Sequence, residues 1–115
     1  MRATIYHNPS CGTSRTVLAQ LRVAGYQPIV VEYLKTGWTQ PQLEALFAAA
    51  GITPRQALRT SNSPAEVMGL TAPGISDATI LAAMVREPVL VNRPIVVTDK
   101  GTRLCRPAGL LEEIL

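Results

Sequence analysis

Apolar positions divide this chain into three blocks. In the first, Ala3 to His7 carries branched and aromatic side chains and predicts a strand. Thr13 to Ala24 then sets Val17, Leu18, Leu21 and Val23 or Ala24 on one face, which predicts a helix with Gly25 as its stop. Pro28 to Leu34 holds Ile29, Val30, Val31, Tyr33 and Leu34, dense enough for a strand buried on both faces. Strand, helix and strand within about 30 residues form a βαβ unit.

The second block is helical: Gln40 to Ala50, Pro54 to Thr60, Pro64 to Gly69 and Ser76 to Arg86. Pro41, Pro54 and Pro64 fit first turns, where a missing N–H leaves nothing unsatisfied, and Thr39, Thr53 and Ser63 fit as caps. Gly51 and Gly69 fit as stops, and Pro88 closes the block. In the third, Val89 to Val91 leads into Asn92-Arg93-Pro94 and a strand at Ile95 to Thr98. A turn at Asp99-Lys100-Gly101, a returning strand at Thr102 to Cys105 and a helix from Pro107 through Leu115 follow. The sum is one α/β domain over residues 1–115. An N-terminal βαβ unit, a helical insertion at about residues 40–88 and a C-terminal β-hairpin and helix surround a mixed four-stranded sheet. There is no internal repeat, low-complexity tract or linker.

At 115 residues the chain can bury about two-thirds of its unfolded surface. Two cysteines, Cys11 and Cys105, are too few for a disulfide framework, and Met1 to Tyr6 lacks the apolar core of a signal peptide, so the expected setting is cytoplasmic and reducing. No apolar run approaches the roughly 18 residues of a membrane span. The net charge is +3, and nine of the eleven basic residues are arginines. They are scattered, and aromatics make up only 4%, which argues against nucleic acid and for local anion binding. One histidine and two distant cysteines imply no metal; no glycine-rich dinucleotide fingerprint appears, so no bound cofactor is expected. A monomer is the default.

The chemistry centres on H-N-P-S-C-G-T-S-R, His7 to Arg15, which puts Cys11 at the mouth of the first helix. Unpaired N–H groups and the positive end of the peptide dipole favour a thiolate there and can cradle an oxyanion. Gly12 allows close backbone approach, Thr13 and Ser14 add hydroxyls, Arg15 adds charge, and His7 lies four residues upstream. A lone cysteine is often a small core residue. The polar surroundings of this one are loop chemistry and favour a functional thiol.

Four separated segments carry a resemblance: residues 7–15, the arginine of A-L-R-T (Arg59), N-R-P-I-V-V at 92–97 and G-T-R-L-C-R-P at 101–107. Together they resemble the glutaredoxin-coupled arsenate reductases, over essentially the whole chain. The resemblance implies a thioredoxin-like fold with a cis bond before Pro94. It implies that Cys11 attacks arsenate, that glutathione as co-substrate then attacks arsenic, and that glutaredoxin completes reduction to arsenite. Arg59, Arg93 and Arg106 would hold the oxyanion, His7 would help keep Cys11 ionised, and Ser14 would donate a hydrogen bond to the thiolate or the adduct. Guanidinium suits that task, being planar, always charged and able to offer paired donors. Cys105 reads as a buried or half-buried inert thiol before it reads as a resolving one, because reduction in this family is supplied by external thiols. Two other readings stay open: an Spx-like regulatory binding protein, though Ser14 stands where a Cys-x-x-Cys switch needs its second thiol, and a general glutathione-dependent thiol reductase, which would not need three arginines.

Overall fold

Strand β1, Ala3–His7, buries alternate residues, so Ala3, Ile5 and His7 share one covered face. Over that face runs α1, Gly12–Val23, with Val17 and Leu21 fully buried against Ala3 and Ile5. These relations come from a computed structural model that describes residues 2–115; Met1, the first residue of the stretch read for a leader, lies outside them. Gly25 stops α1 as expected, at φ +94. Its N–H bonds to Arg22 and that of Tyr26 to Leu21, a left-handed closure suited to glycine. Val23, proposed for the apolar face, is 89% exposed, and Ser14 takes a buried position on the helix instead.

The chain falls into two compact units, one joining the N-terminal part up to Thr36 to Arg93–Leu115, the other spanning Gly37–Asn92. In the first, β2 (Ile29–Glu32), β1, β3 (Ile95–Thr98) and β4 (Gly101–Leu104) form a mixed four-stranded sheet in the order β2-β1-β3-β4. β2 is parallel to β1, while β3 is antiparallel to both β1 and β4. The expectation of a second strand buried on both faces is corrected: β2 is an edge strand with Ile29 66% exposed, and at Tyr33 the chain turns into a one-turn helix, α2 (Tyr33–Thr36). Apolar density reports β propensity but does not distinguish a central position from an edge.

The terminal helix is a 3₁₀ helix over Ala108–Ile114. It is short and contains Gly109, so α-helical cooperativity has little length to act on. Thr98 Oγ1 donates to the Ile114 carbonyl at 2.5 Å and Lys100 Nζ to that of Leu115 at 2.5 Å, while Arg103 pairs with Glu113 at 2.9 Å. These contacts hold Leu111 and Ile114 in a core with Ile5, Leu21, Val96 and Cys105. Each large apolar side chain buried there contributes on the order of 1.5–3 kcal/mol.

The second unit contains α3 (Gln40–Ala50), α4 (Pro54–Ala57), α5 (Asp77–Arg86) and a 3₁₀ turn at Pro88–Leu90. Thr39 with Gln42 and Thr53 with Gln56 form reciprocal capping boxes, and Ser76 caps α5. Two predicted helices are shorter than the sequence suggested. The one at Pro54–Thr60 ends at Ala57, because Leu58 adopts extended backbone and bridges Val91. Pro64–Gly69 makes a single turn, with Met68 bonded to Pro64 and a closure at Gly69 and Leu70. Six residues, from the proline through the glycine, are too few to propagate a helix.

Candidate active site

Sheet register assembles most of the site. β3 and β4 pair Ile95 with Leu104, and the next ladder bond runs from the Cys105 N–H to the Pro94 carbonyl at 2.9 Å. Arg93 and Arg106 are thereby neighbours at one sheet end, where Arg106 Nη1 donates to the Arg93 carbonyl at 3.2 Å. β1 pairs Tyr6 with Ile95, so the end of β1, which leads into the cysteine loop, reaches the same place. The bond before Pro94 is cis, as expected, and that before Pro107 is also cis.

Cys11 is the residue just before α1, in extended backbone at φ −95 and ψ 122. Its N–H donates to the Asn8 carbonyl at 3.0 Å, and its carbonyl accepts from the Arg15 N–H at 3.0 Å. The side chain is 6% exposed. Burial pushes the thiol up, but the Ser14 N–H, the Arg93 charge, the Arg106 guanidinium and the Thr13 N–H outweigh it, leaving the thiol below its ordinary value. Arg106 Nη1 lies 3.6 Å from the sulfur. The helix mouth and two cations therefore converge on one atom.

The structure brings the Ser14 and His7 side chains together. The Ser14 hydroxyl is fully buried, 2.6 Å from His7 Nδ1, and accepts from the Asn8 N–H at 3.1 Å. It is the backbone N–H of Ser14 that acts on the sulfur. Burial lowers the His7 pKa, Glu32 opposes, and Arg22 and Arg15 reinforce the lowering.

Of the remaining candidates, Thr13 contributes its backbone N–H, and a Cβ at Gly12 would meet only Arg15 Nη2 at 3.8 Å, so internal packing does not demand glycine there. Arg59 belongs to the second unit, where its Nε donates to the Ser61 carbonyl at 2.9 Å and its N–H to that of Leu90 at 2.8 Å. Ser63 Oγ donates to the Arg59 carbonyl. Cys105 is fully buried; burial pushes its thiol up to about 12, with Arg103 opposing and Glu113 reinforcing. Asn8, which the sequence marks only as orienting the loop, is 5% exposed and bonds to Ser10, Cys11 and Ser14. The Asn-Pro pair, a turn signature, was the available signal. Arg15 also ties the loop, donating from Nη1 to the Pro9 carbonyl at 2.9 Å.

A family model described as the ArsC family matches residues 6–114. An arsenate reductase of Synechocystis sp. is 60% identical over 111 residues, covering 96% of this chain and 79% of the relative. An arsenate reductase of Rhizobium meliloti is 53% identical over 115 residues, covering 100% and 82%. The solved structure of an arsenate reductase from Vibrio cholerae superposes with a TM-score of 0.93 at 36% identity, covering 100% of this chain and 98% of that one.

Proposed function

The chain belongs to the ArsC family, and from that membership and the geometry at Cys11 we propose that it reduces arsenate to arsenite through a covalent cysteine–arsenate adduct. The observation that carries this reading is the convergence of Arg93, Arg106 and the first amides of α1 on one sulfur. A thiolate held among cations is both nucleophile and anion site. Arsenate would bring two or three negative oxygens to the same donors, which suits charge-assisted guanidinium bonds.

In the proposed first step the Cys11 thiolate attacks arsenic(V), a sulfur–arsenic bond forms, and one arsenate oxygen leaves as water after protonation. Preorganised donors serve best where charge develops, and here they are the Ser14 and Thr13 N–H groups and the two guanidiniums. Glutathione then supplies an attacking thiol, and a glutaredoxin completes the exchange. Overall, arsenic takes up two electrons, two external thiols are joined as a disulfide, and water is released. Cys11 returns as a thiol. Arg59 is proposed as a third oxyanion ligand on the resemblance alone.

The test is arsenate-dependent NADPH oxidation in a mixture of glutathione, glutathione reductase and a glutaredoxin, with wild type beside Cys11→Ser. Turnover by wild type alone supports the reading. Equal turnover by Cys11→Ser removes Cys11 from the mechanism. Silence from both, with Cys11 still reactive toward alkylating agents, redirects the site toward another electrophile.

A further inference from the structure

Three of the bonds that shape the cysteine loop end on one residue that the chemistry above does not use. The Asn8 carbonyl accepts from the Cys11 N–H at 3.0 Å, its N–H donates to Ser14 Oγ at 3.1 Å, and its side-chain Oδ1 accepts from the Ser10 N–H at 3.0 Å. The first two are main-chain bonds that any residue could make. The third needs an acceptor on a short side chain, the turn that asparagine forms with the residue two positions on. It spans Pro9, whose own carbonyl is held from outside by Arg15. Asn8, itself 5% exposed, thus closes a loop whose next residues, Pro9 and Ser10, are both exposed.

We propose that Asn8 is a positioning residue for the reaction: by holding the Ser10 N–H, its carboxamide oxygen fixes the loop so that the Cys11 sulfur stays beneath the α1 amides and beside Arg106. Loss of that acceptor frees Ser10, and the sulfur's distance to its stabilising donors is no longer set. Arg93 and Arg106 from the sheet end are the charged groups facing the sulfur, while His7, Arg15, Arg22 and Glu32 surround the loop base. None of these is altered by replacing Asn8. The inference rests on Cys11 being the nucleophile, yet its test reads the thiol directly and is independent of arsenate.

The test compares Asn8→Ala with Asn8→Ser, which differ by one oxygen able to close the same turn. The rate of iodoacetamide alkylation of Cys11 is followed from pH 5 to pH 10, with folding checked by circular dichroism. Buried Cys105 does not compete in the native protein. Asn8→Ala is expected to shift the midpoint upward and slow alkylation at pH 6 several-fold, with the high-pH plateau retained. Asn8→Ser is expected to recover part of the shift. A folded Asn8→Ala protein with the wild-type profile overturns the proposal, and so does an equal shift in both variants. Should Asn8→Ala fail to fold, amide exchange in the wild-type protein decides: the Ser10 N–H is expected to be protected despite its exposed position, and exchange at the free-peptide rate overturns the proposal.

Discussion

Replacing Arg106 with alanine tests how far the thiolate depends on one cation. Its Nη1 is 3.6 Å from the Cys11 sulfur. Coulomb's law at that distance gives about 1 kcal/mol in bulk water and about 5 kcal/mol at the effective dielectric typical near a protein surface. Arg106 is half-buried, so solvent screens part of the attraction, and we expect a net loss of about 1–2 kcal/mol on truncation. With about 1.4 kcal/mol per pKa unit, the Cys11 midpoint should rise by about one unit. The sign follows from removing a group that favours the charged form. In an alkylation-against-pH experiment the curve moves to higher pH, and the plateau stays level or rises slightly, because a more basic thiolate is intrinsically more nucleophilic. Arg106→Lys keeps the charge but loses the planar fork, and its midpoint should fall between the two. A folded Arg106→Ala protein whose midpoint is unmoved would leave the α1 amides and Arg93 as the source of the acidity.

Further predictions concern stability. Cys105 has its thiol pushed up to about 12 from an ordinary 9.0, so the folded state favours the neutral form; its contribution is fully present below pH 9 and is lost as pH rises toward 12. Denaturant titrations should show stability falling by about 1.4 kcal/mol per pH unit in that window, and the slope should disappear in Cys105→Ala; an unchanged slope would assign the alkaline loss elsewhere. Gly101 sits at φ +151, and a Cβ there would lie 3.2 Å from Ile114 Cγ2. Gly101→Ala should therefore cost about 1–3 kcal/mol in thermal or denaturant unfolding, and a neutral effect would mean that the hairpin turn rearranges freely.

The parts of the fold legible in the sequence are those decided by near neighbours. β1, α1 with its Gly25 closure, the capping boxes of α3 and α4 and the β3–β4 hairpin each follow from side-chain spacing or turn chemistry within a dozen residues. What the sequence hid depends on partners farther away. Nothing in Pro28 to Leu34 tells that β2 lies at the sheet edge beside β1, and nothing in Pro54 to Thr60 tells that Leu58 will bridge Val91. The site divides in the same way. Cys11 at a helix mouth is readable from its flanks, whereas the meeting of Arg93 and Arg106 at one sulfur comes from strand register. The contacts of the buried Ser14 hydroxyl with His7 Nδ1 and the Asn8 N–H likewise depend on how the loop folds back and are not legible in the sequence.

Reduction of arsenic through Cys11 can be followed in its product. Its most direct test is the quantity of arsenite formed from arsenate, separated from arsenate chromatographically, in parallel reactions of wild type and Cys11→Ser with the same glutathione and glutaredoxin. One arsenite for each glutathione disulfide is expected from wild type and, from Cys11→Ser, no more than the enzyme-free background. Arsenite produced by Cys11→Ser at the wild-type rate would contradict it.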